Sequence, residues 1–415
     1  MLKSIIKKFI PEPLIAVYHK AWAVAANIIY GFPSRKLVVI GVTGTKGKST
    51  VSNMVWKVLT ESGLKVGMTT TANFRINDKE WINDTKMTMQ GRMRLQKLLR
   101  DMVRSGCTHA VVETSSEGIK QYRHWGIEYN VAVITNLTPE HIESHGSFEN
   151  YRAAKGKLFR ALGGKGVSIV NADDEHASFF QKFSAEKKMA YSIDNLSDVQ
   201  ATGVVDSEQG SVFTIGDTKF HIPLLGRFNA YNALAAIAVA RNFDVEWDVI
   251  ARALADFSYM PGRMEEIKSE KGFSIFVDYA HTVESLEAVY ATLKPKARRL
   301  IAVLGSCGGG RDTAKRPVLG GLAAKYAAVV IVTNEDPYDE DPEVIIDAVW
   351  AGLEGFQGEK YKIIDRGEAI QKAVSLAESG DIIAVTGKGS EQCIVTNKGK
   401  RPWDDREEVR KALKS

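Results

Sequence analysis

Short apolar runs alternate with longer segments of mixed polarity through two long parts of the chain. In the first part the apolar runs are Leu37–Val42, Thr108–Glu113, Val131–Thr135 and Val167–Asn171. Apolar runs of this length, separated by helical segments, are typical of strands in a mostly parallel sheet. The pattern therefore predicts an α/β domain, which we place at residues 37–260.

The pattern changes between residues 188 and 222. The short pieces "ATGVV", "SVFTI" and "KFHIPL" are rich in β-branched and aromatic residues, and a helical stretch, "FNAYNALAAIAVARNF", follows them. Short strands that lie close together along the chain pair readily as antiparallel neighbours. We therefore predict a small antiparallel appendage on the first domain.

The segment "SYMPGRMEEI" contains Pro and Gly and marks a domain boundary near residue 261. Beyond it, "FSIFV", "RLIAVLG", "AVVIVTN" and "DIIAVTG" indicate further buried strands, which predicts a C-terminal Rossmann-like α/β domain over residues 261–415. Ligands of such sheets gather beyond the carboxyl ends of the strands. Asp278, Gly305, Asn334 and Gly387 fall there, and we expect this edge to face the first domain across a cleft.

The first 36 residues differ from the rest. "MLKSIIKKFI" is basic and amphipathic, and "LIAVYHKAWAVAANIIYGF" is mostly apolar but interrupted by His19 and Lys20. The uncharged run Ala21–Ser34 is too short to span a bilayer, and no signal-peptide cleavage site stands out. We expect a helical extension over residues 1–36 that packs on the first domain, with attachment to a membrane surface or a partner protein as the alternative.

Composition narrows the class of protein. The 415 residues are 44% hydrophobic and 25% charged, as in ordinary globular enzymes, and they suffice for two or three domains. The net charge of +5 is too small to indicate a nucleic-acid partner. Cys107, Cys307 and Cys393 are scattered and form no metal-binding or redox pair, which fits a cytoplasmic protein.

A glycine-rich turn follows the first predicted strand, in "GVTGTKGKST". Glycines at the start of a helix leave backbone N–H groups for an anion, Lys48 suits a phosphate chain, and Ser49 can ligate Mg²⁺. The general P-loop pattern would require a glycine at position 42. The chain has Val42 there, and its glycine, Gly41, comes one residue earlier. The turn still predicts a nucleoside triphosphate site, with a motor, a switch, a kinase and a ligase all open. The residues concerned are Gly44, Thr45, Lys46, Gly47, Lys48, Ser49 and Thr50.

Three further polar residues follow predicted strands of the first domain. Glu113 ends one strand, His141 follows another in "TNLTPEHIESHG", and Lys155 lies in "YRAAKGKLF". Carboxylate, imidazole and phosphate oxygens can together hold divalent cations, with Ser49 as a further ligand. Taken singly, each residue has a structural alternative. Glu113 could be a hydrogen-bond partner for the start of a helix, His141 a surface histidine and Lys155 a solvated charge.

Ten sequence blocks together resemble one enzyme family, the Mur ligases. They are "GVTGTKGKST", "ETSS", "TNLTPEHIESHG", "YRAAKGKLF", "GRFNAYNALAA", "MPGRMEEI", "VDYAHTVESLE", "GGGRDTAKRP", "GKGSE" and "WDDREEVRKAL". They run in family order over roughly nine-tenths of the chain. The most similar branch is the MurE type, which adds the third amino acid to UDP-N-acetylmuramoyl-dipeptide.

The resemblance implies an ATP-dependent amide ligase of peptidoglycan synthesis that works through an acyl phosphate. Lys48 would hold the β- and γ-phosphates, Ser49 and Glu113 the first Mg²⁺, and Glu113, His141 and Lys155 the second. Lys155 occupies the position at which the family carries a carbamylated lysine, whose added carboxylate can ligate a cation where an ammonium cannot.

The resemblance also implies roles for residues outside the phosphate loop. On the ATP, Asn232 and Asp278 match positions beside the adenosine, and Arg263 and His281 match positions near the phosphates. Positions for the acyl substrate are Thr88, Ser115, Gln121 and Arg123, for which loop capping is the structural alternative. Positions for the amino acid are Arg311, Asp336, Tyr338, Gly387 and Glu391.

The chain departs from the family pattern in four ways. Only 36 residues precede the first predicted strand, in place of the N-terminal UDP-binding domain, so we expect UDP to contribute little to affinity. Met89 replaces a second threonine, Glu117 replaces a histidine, and "EDPY" at residues 335–338 replaces "DNPR". These changes leave both substrates open.

Three functions therefore remain. The first is a MurE-like ligase that joins an amino acid to a peptide or muropeptide. The second is the same chemistry on another acid, as in folylpolyglutamate or cyanophycin synthesis. The third is a non-catalytic ATP-binding partner of a cell-wall complex, against which the presence of Lys48, Glu113, His141 and Lys155 argues.

Overall fold

The chain forms two compact units. The computed structural model describes residues 12–140, 142–207, 209–257, 260–310 and 312–414. The first unit comprises Met1–Pro223 with Arg227–Ser258, and the second comprises Leu224–Gly226 with Tyr259–Ser415. The predicted α/β class is confirmed in both, because each is built on a large, mostly parallel sheet.

The main sheet of the first unit has nine strands in its described part, in the order β4-β3-β2-β5-β1-β6-β7-β8-β9. Strands β2 and β5 to β9 join β1 in parallel, and β3 and β4 form an antiparallel edge. The central strands are buried on both faces, which explains their continuous apolar runs. The bounds are β1 Val38–Thr43, β2 Val66–Thr69, β3 Asn73–Ile76, β4 Lys79–Ile82, β5 His109–Glu113, β6 Val131–Ile134, β7 Val167–Asn171, β8 Lys187–Ser192 and β9 Val199–Gln200.

Helices cover both faces of this sheet. One face packs a buried cluster that joins Val39 and Val112 to Leu99, Leu158 and Phe180 of the helices. On the other face lies α2, which packs against α8 and α9. The bounds are α1 Glu12–Tyr30, α2 Lys48–Glu61, α3 Arg92–Arg104, α4 Ser116–Lys120, α5 Ile142–His145, α6 Phe148–Arg160, α7 Ala177–Gln181, α8 Arg227–Asn242 and α9 Trp247–Ala255.

The predicted antiparallel appendage is present but begins later than residue 188. Its strands are β10 Thr202–Ser207, β11 Gly210–Ile215 and β12 Thr218–Ile222. Strand β8 instead joins the main sheet in parallel with β7. Tyr191 holds it there, since its buried hydroxyl donates to the Ile134 or the Thr135 carbonyl at 3.0 and 3.1 Å.

In its described residues the second unit has a six-stranded sheet in the order β13-β14-β18-β15-β16-β17, of which only β13 runs antiparallel. Alternate strand residues enter two separate buried clusters, one on each face. The strands are β13 Glu265–Lys268, β14 Ser274–Asp278, β15 Leu300–Leu304, β16 Val329–Val332, β17 Glu359–Lys362 and β18 Ile382–Thr386, with a separate hairpin of β19 Cys393–Thr396 and β20 Gly399–Pro402. The helices are α10 Val283–Leu293, α11 Lys315–Tyr326, α12 Pro342–Trp350, α13 Arg366–Leu376 and α14 Asp405–Lys414.

Within the predicted N-terminal extension, residues Glu12–Tyr30 form helix α1, and residues 1–11 lie outside the described part. It packs against α3 through a face that includes the buried Ala23, Ala26 and Asn27. The Asn27 amide donates to the carbonyls of Ala23 and Trp125 at 2.9 and 3.1 Å, which fixes the helix to the first unit. Across residues 12–140, 142–207, 209–257, 260–310 and 312–414, no helix combines the length and apolar character needed to cross a membrane.

Candidate active site

The glycine-rich loop between β1 and α2 requires glycine at two positions. Gly44 has φ +148° and Gly47 has φ +79°, which residues with a Cβ rarely adopt. A Cβ would lie 1.8 Å from Thr135 Oγ1 at Gly44, and 2.2 Å from Asn232 Oδ1 at Gly47. The backbone is therefore packed closely from two sides, and Asn232 of α8 lies directly beside the loop.

Residues after β6 hold the loop in position. The N–H groups of Thr45 and Lys46 both donate to Asn136, one to its carbonyl and one to its side-chain oxygen, each at 2.9 Å. The Thr135 hydroxyl donates to the Lys46 carbonyl at 2.6 Å. The sequence pattern alone does not predict these contacts of Thr135 and Asn136, although both residues lie in the "TNLT" part of a family block.

The predicted phosphate residues lie at the start of α2. Lys48, Ser49 and Thr50 form its first turn, and Gly47 as the N-cap has no side chain to occupy the helix terminus. Lys48 Nζ donates to the Thr45 carbonyl at 2.8 Å, and Lys46 Nζ pairs with Glu140 at 2.9 Å. Two lysines thus accompany the positive end of a helix, an arrangement that favours a polyphosphate.

Ser49 and Glu113 meet at the edge of the sheet. In the parallel pair of β1 and β5, Val42 lies opposite Glu113, so the carboxylate emerges beside the loop. The Ser49 hydroxyl donates to Glu113 Oε2 at 2.8 Å, and the carboxylate is almost fully buried. Thr71 donates to it twice, from its N–H at 2.7 Å and its hydroxyl at 3.0 Å. Three hydrogen bonds, from the Ser49 hydroxyl and from the N–H and hydroxyl of Thr71, therefore fix the position of this carboxylate.

Lys155 approaches the same loop from α6. Its Nζ donates to the Gly44 carbonyl at 2.6 Å and lies 4.5 Å from the centre of the Tyr151 ring. Burial lowers the pKa of this amine well below its usual value, and the charge of Lys48 lowers it further. The opposing pull of Glu140 and Glu113 on the pKa is smaller. The amine is therefore disposed to be neutral.

Two predicted residues, His141 and Arg311, lie outside the described part of the chain. Within the described part, no three His, Cys, Asp or Glu side chains are grouped as a metal site. Ser49 and Glu113 are present as a pair of oxygen donors, and the predicted metal sites would draw their other ligands from phosphates, His141 and a modified Lys155.

The four predicted acyl-substrate residues fall in two groups. The Thr88 hydroxyl lies 3.0 Å from that of Thr71, which links it to the Glu113 carboxylate. Ser115 caps α4 by accepting from the Gly118 N–H at 3.1 Å, so it has the structural role that was the alternative. Gln121 and Arg123 are paired with each other, Oε1 to Nη2, at 2.8 Å.

A second arginine, missed in the sequence, accompanies Arg123. Arg92 donates to the Gln121 carbonyl, and Arg123 donates to the Met89 carbonyl. Burial lowers the pKa of both guanidinium groups, and the charge of Arg123 lowers that of Arg92 further. Two neighbouring guanidinium groups form a strong carboxylate site. In the sequence, the only indication of a role for Arg92 is its position in "QGRMR", four residues after Thr88.

Three of the predicted ATP residues belong to the second unit, where they surround Tyr279. Asp278 ends β14 and accepts the N–H groups of Met264 and Ala280, each at 2.7 Å. His281 Nδ1 is 2.9 Å from the Tyr279 carbonyl, and the Arg263 guanidinium lies 4.5 Å from the centre of the Tyr279 ring.

The predicted amino-acid residues Asp336 and Glu391 converge on one buried lysine. Lys388 Nζ donates to Asp336 at 2.9 Å, to Glu391 at 2.5 Å and to the Cys393 carbonyl at 2.7 Å. Asp336 also accepts the Val395 N–H at 2.7 Å. The sequence did not single out Lys388, although it lies within the recognised "GKGSE" block.

Tyr338 and Gly387 have constrained backbones. Tyr338 has φ +56°, and a Cβ added at Gly309 would lie 2.9 Å from its ring. Gly387 has φ +107°, and an added Cβ would lie 2.6 Å from Glu335 Oε2. Glu335 accepts the Cys307 thiol on its other oxygen at 2.8 Å, while Oε2 is buried without a hydrogen-bond partner among the described residues.

An acidic run of five residues lies between positions 335 and 341: Glu335, Asp336, Asp339, Glu340 and Asp341. Their environments differ. Asp336 is neutralised by Lys388, and Glu340 makes a two-pronged ion pair with Arg316 at 2.6 and 2.9 Å. Asp341 caps α12 by accepting the Glu343 N–H. Glu335 is therefore the buried carboxylate of the run that lacks a cation within ion-pair distance among the described residues.

Comparisons with known proteins identify the family. The family models "Mur ligase middle domain" and "Mur ligase, glutamate ligase domain" match residues 42–240 and 262–389. UDP-N-acetylmuramoyl-L-alanyl-D-glutamate--2,6-diaminopimelate ligase of Bacillus cereus is 35% identical, over 97% of this chain and 84% of the relative.

Two solved structures have the same fold. A structure of a UDP-N-acetylmuramoyl-L-alanyl-D-glutamate--2,6-diaminopimelate ligase is 32% identical with a TM-score of 0.64, over 91% of this chain and 78% of that one. A folylpolyglutamate synthase of Mycobacterium tuberculosis, complexed with ADP and AMPPCP, has a TM-score of 0.72 at 20% identity, over 91% and 96% of the two chains. The second likeness concerns the fold alone.

Proposed function

Because the chain belongs to the Mur ligase family, an amide-forming, ATP-dependent family, we propose that it joins an amino acid to the carboxylate of a muropeptide. The substrate carboxylate attacks the γ-phosphorus of ATP, and ADP leaves. The amino group then attacks the acyl carbon, phosphate leaves, and the nitrogen loses a proton. A carboxylate needs this activation because its own oxygen is a poor leaving group.

The observation that carries the proposal is the pairing of Ser49 with Glu113 beside the glycine-rich loop. Phosphoryl transfer depends mainly on positioning and on neutralising charge. A hydroxyl and a carboxylate are ligands that Mg²⁺ prefers, and Thr71 orients the carboxylate with two hydrogen bonds. Magnesium bound there would neutralise charge on the phosphates, while Lys48 and the first turn of α2 bind the phosphate oxygens.

We also propose that Lys155 is carbamylated in the working enzyme. Its lowered pKa favours the neutral amine, whose nitrogen lone pair can form a bond to CO₂ with loss of a proton. Lys46 and Lys48 lie close enough to influence its charge, and they would stabilise the resulting anion. The carbamate would turn a basic residue into an oxygen ligand near Glu113.

For the acyl substrate, we propose that Arg123 and Arg92 together bind a carboxylate. Their guanidinium groups are held by backbone carbonyls, so their positions are fixed before the substrate arrives. Thr88 extends the same site toward Glu113 through Thr71. A peptide that carries a free carboxylate fits this donor set, and the relatives named for a muramoyl dipeptide substrate support it.

For the amino acid, we propose that Asp336, Glu391 and Lys388 position the incoming amino group. Tyr338 lies at the position of the arginine of "DNPR" and provides no positive charge. Glu335 adds a carboxylate oxygen with no hydrogen-bond partner among the described residues. This environment favours a neutral or basic amino acid over one with a second carboxylate.

A screen of acyl acceptors against amino acids tests the function, with ADP release and product mass as readouts. We expect ADP only when both a muropeptide and an amino acid are present, and the Glu113→Gln variant to lose ADP release while remaining folded. ADP release with folate or cyanophycin acceptors and none with muropeptides would favour the second function. ATP binding without turnover on any acceptor would favour the non-catalytic one.

A further inference from the structure

Helix α1 exposes an apolar face to solvent. Between residues 14 and 30, its exposed residues are all uncharged and apolar or aromatic: Leu14, Val17, Tyr18, Ala21, Trp22, Val24, Ile28 and Ile29. The described part of the chain has fourteen large hydrophobic side chains that are exposed, and seven of them lie on this one helix. Isolated exposed apolar residues are ordinary, whereas a contiguous group indicates an interaction site.

An exposed aromatic side chain extends this face beyond the helix. Trp125 is 43% exposed, and its carbonyl accepts the Asn27 amide of α1. Lys20 lies between its ring and that of Tyr122, 5.1 and 5.0 Å from their centres. Tyr18 and Trp22, whose ring centres lie 6.4 Å apart, and the nearby Trp125 are amphipathic aromatic residues of the kind that is typical of a membrane–water interface.

The neighbouring helix α3 contributes positive charge. Its exposed positions include Arg94, Lys97 and Arg104, which lie on one face at helical spacing, and Arg94 is paired with the exposed Asp84. Arg100 of the same helix reaches the Ile29 carbonyl of α1 at 3.5 Å, so the two helices adjoin directly. In the sequence, Lys3, Lys7 and Lys8 precede α1.

We propose that this face binds the surface of an anionic phospholipid bilayer, with α1 lying in the interface. Apolar and aromatic side chains would enter the headgroup region while the cations of α3 contact anionic headgroups. A second copy packed on the same face would bring a second set of the same cations close to the first, which disfavours it. Attachment is peripheral, since α1 is not apolar enough to cross a membrane.

Vesicle sedimentation with the full chain tests the proposal. The probes are vesicles of phosphatidylcholine alone and of phosphatidylcholine mixed with phosphatidylglycerol. One variant replaces Val17, Ile28 and Ile29 by Gln, and a second replaces Lys97 and Arg104 by Gln. The matched control, Val318→Gln with Val344→Gln and Ile364→Gln, removes three exposed apolar side chains elsewhere. Circular dichroism and thermal unfolding establish that every variant is folded.

We expect the wild-type chain to sediment with the mixed vesicles and much less with phosphatidylcholine alone. Each test variant should partition on the order of tenfold more weakly, and the control should match the wild type. The proposal is overturned if the wild type stays in the supernatant, or if the control loses as much binding as the α1 variant. A wild-type dimer that the α1 variant dissociates, without vesicle binding, would overturn it in favour of a second copy.

Discussion

At the scale of single residues, Lys155 combines burial, a lowered pKa and contact with the glycine-rich loop. We predict that Lys155→Ala lowers the ligation rate by on the order of 100-fold, because the proposed carbamate ligand would be lost. Lys157→Ala is the matched control, since this lysine lies on the same helix but is exposed. The activity is measured as ADP release, and full activity of both variants would refute the role of Lys155.

The same lysine predicts a dependence on dissolved CO₂. A lowered pKa keeps the amine neutral at a pH where an ordinary lysine is charged, and only the neutral amine reacts with CO₂. Activity should therefore fall as the pH falls through this lowered pKa, and added bicarbonate at constant pH should restore part of it. The prediction would be contradicted if added bicarbonate left the ligation rate unchanged and the peptide that contains Lys155 had an unmodified mass.

We expect the choice of amino acid to depend on Tyr338. Losing a bidentate guanidinium contact in a closed site weakens the binding of a distal carboxylate by about 2–3 kcal/mol, or roughly thirty- to a hundred-fold in selectivity. In competition between equal diaminopimelate, lysine and alanine, we expect little diaminopimelate in the product, and more of it with Tyr338→Arg. If diaminopimelate dominates the wild-type product mass, this interpretation of Tyr338 is wrong.

Some residues of the site could be identified from the sequence and others could not. The loop from Gly44 to Thr50 was predictable because its chemistry is local: glycines, a lysine and a serine follow one another between a strand and a helix. Arg92 and Lys388 were missed because a single basic residue is ordinarily a solvated charge. Their roles come from burial and from partners far away in the sequence, such as Gln121 and Asp336.

At the scale of elements, the two ends of α2 allow two glycines to be compared: Gly47 before the helix and Gly63 after it. Gly47 and Gly63 have similar φ values, +79° and +89°, but a Cβ at Gly63 meets nothing within 4 Å. Both changes to alanine should cost about 1–2 kcal/mol in backbone strain. Only Gly47→Ala should also weaken ATP binding, because its Cβ would collide with Asn232. Calorimetric titration measures ATP binding to both variants, and equal affinities for ATP would contradict the predicted role of Gly47.

The ion pair between α13 and α14 is fully buried. Arg366 meets Asp405 at 2.6 and 2.7 Å and also donates to the Thr386 carbonyl at 2.8 Å. Arg366→Met should lower the free energy of unfolding by about 3–5 kcal/mol, because Asp405 would be left buried without its cation. Arg401→Met removes one partner of an exposed pair and should change it by less than about 1 kcal/mol. Denaturant unfolding measures both.

The strands illustrate what the apolar pattern can predict. Runs such as Val131–Ile134 were found almost to the residue, because a parallel strand covered on both faces must be continuously apolar. The parallel pairing of β8 was not found, because the strand begins with the exposed Lys187 and Lys188 and resembles an isolated edge. Its register depends on Tyr191, whose hydrogen-bond partners lie more than fifty residues away in the sequence.

At the scale of the whole molecule, the chain divides into two compact units. A buried cluster on one face of the first unit's sheet and two clusters of the second unit share no residue. We therefore expect two transitions in scanning calorimetry, of which Arg366→Met lowers only one. A single transition that shifts as a whole would show that the units unfold together.

We expect the apolar face of α1 also to influence how the purified protein behaves in solution. Salts that are excluded from protein surfaces strengthen apolar contacts, while ionic strength screens the attraction between cations and anionic headgroups. Raising the sulfate concentration should therefore favour self-association and precipitation of this protein, and at the same time weaken the electrostatic part of its attraction to lipid. Solubility during concentration and crystallisation will then depend on Val17, Ile28 and Ile29 far more than on the net charge.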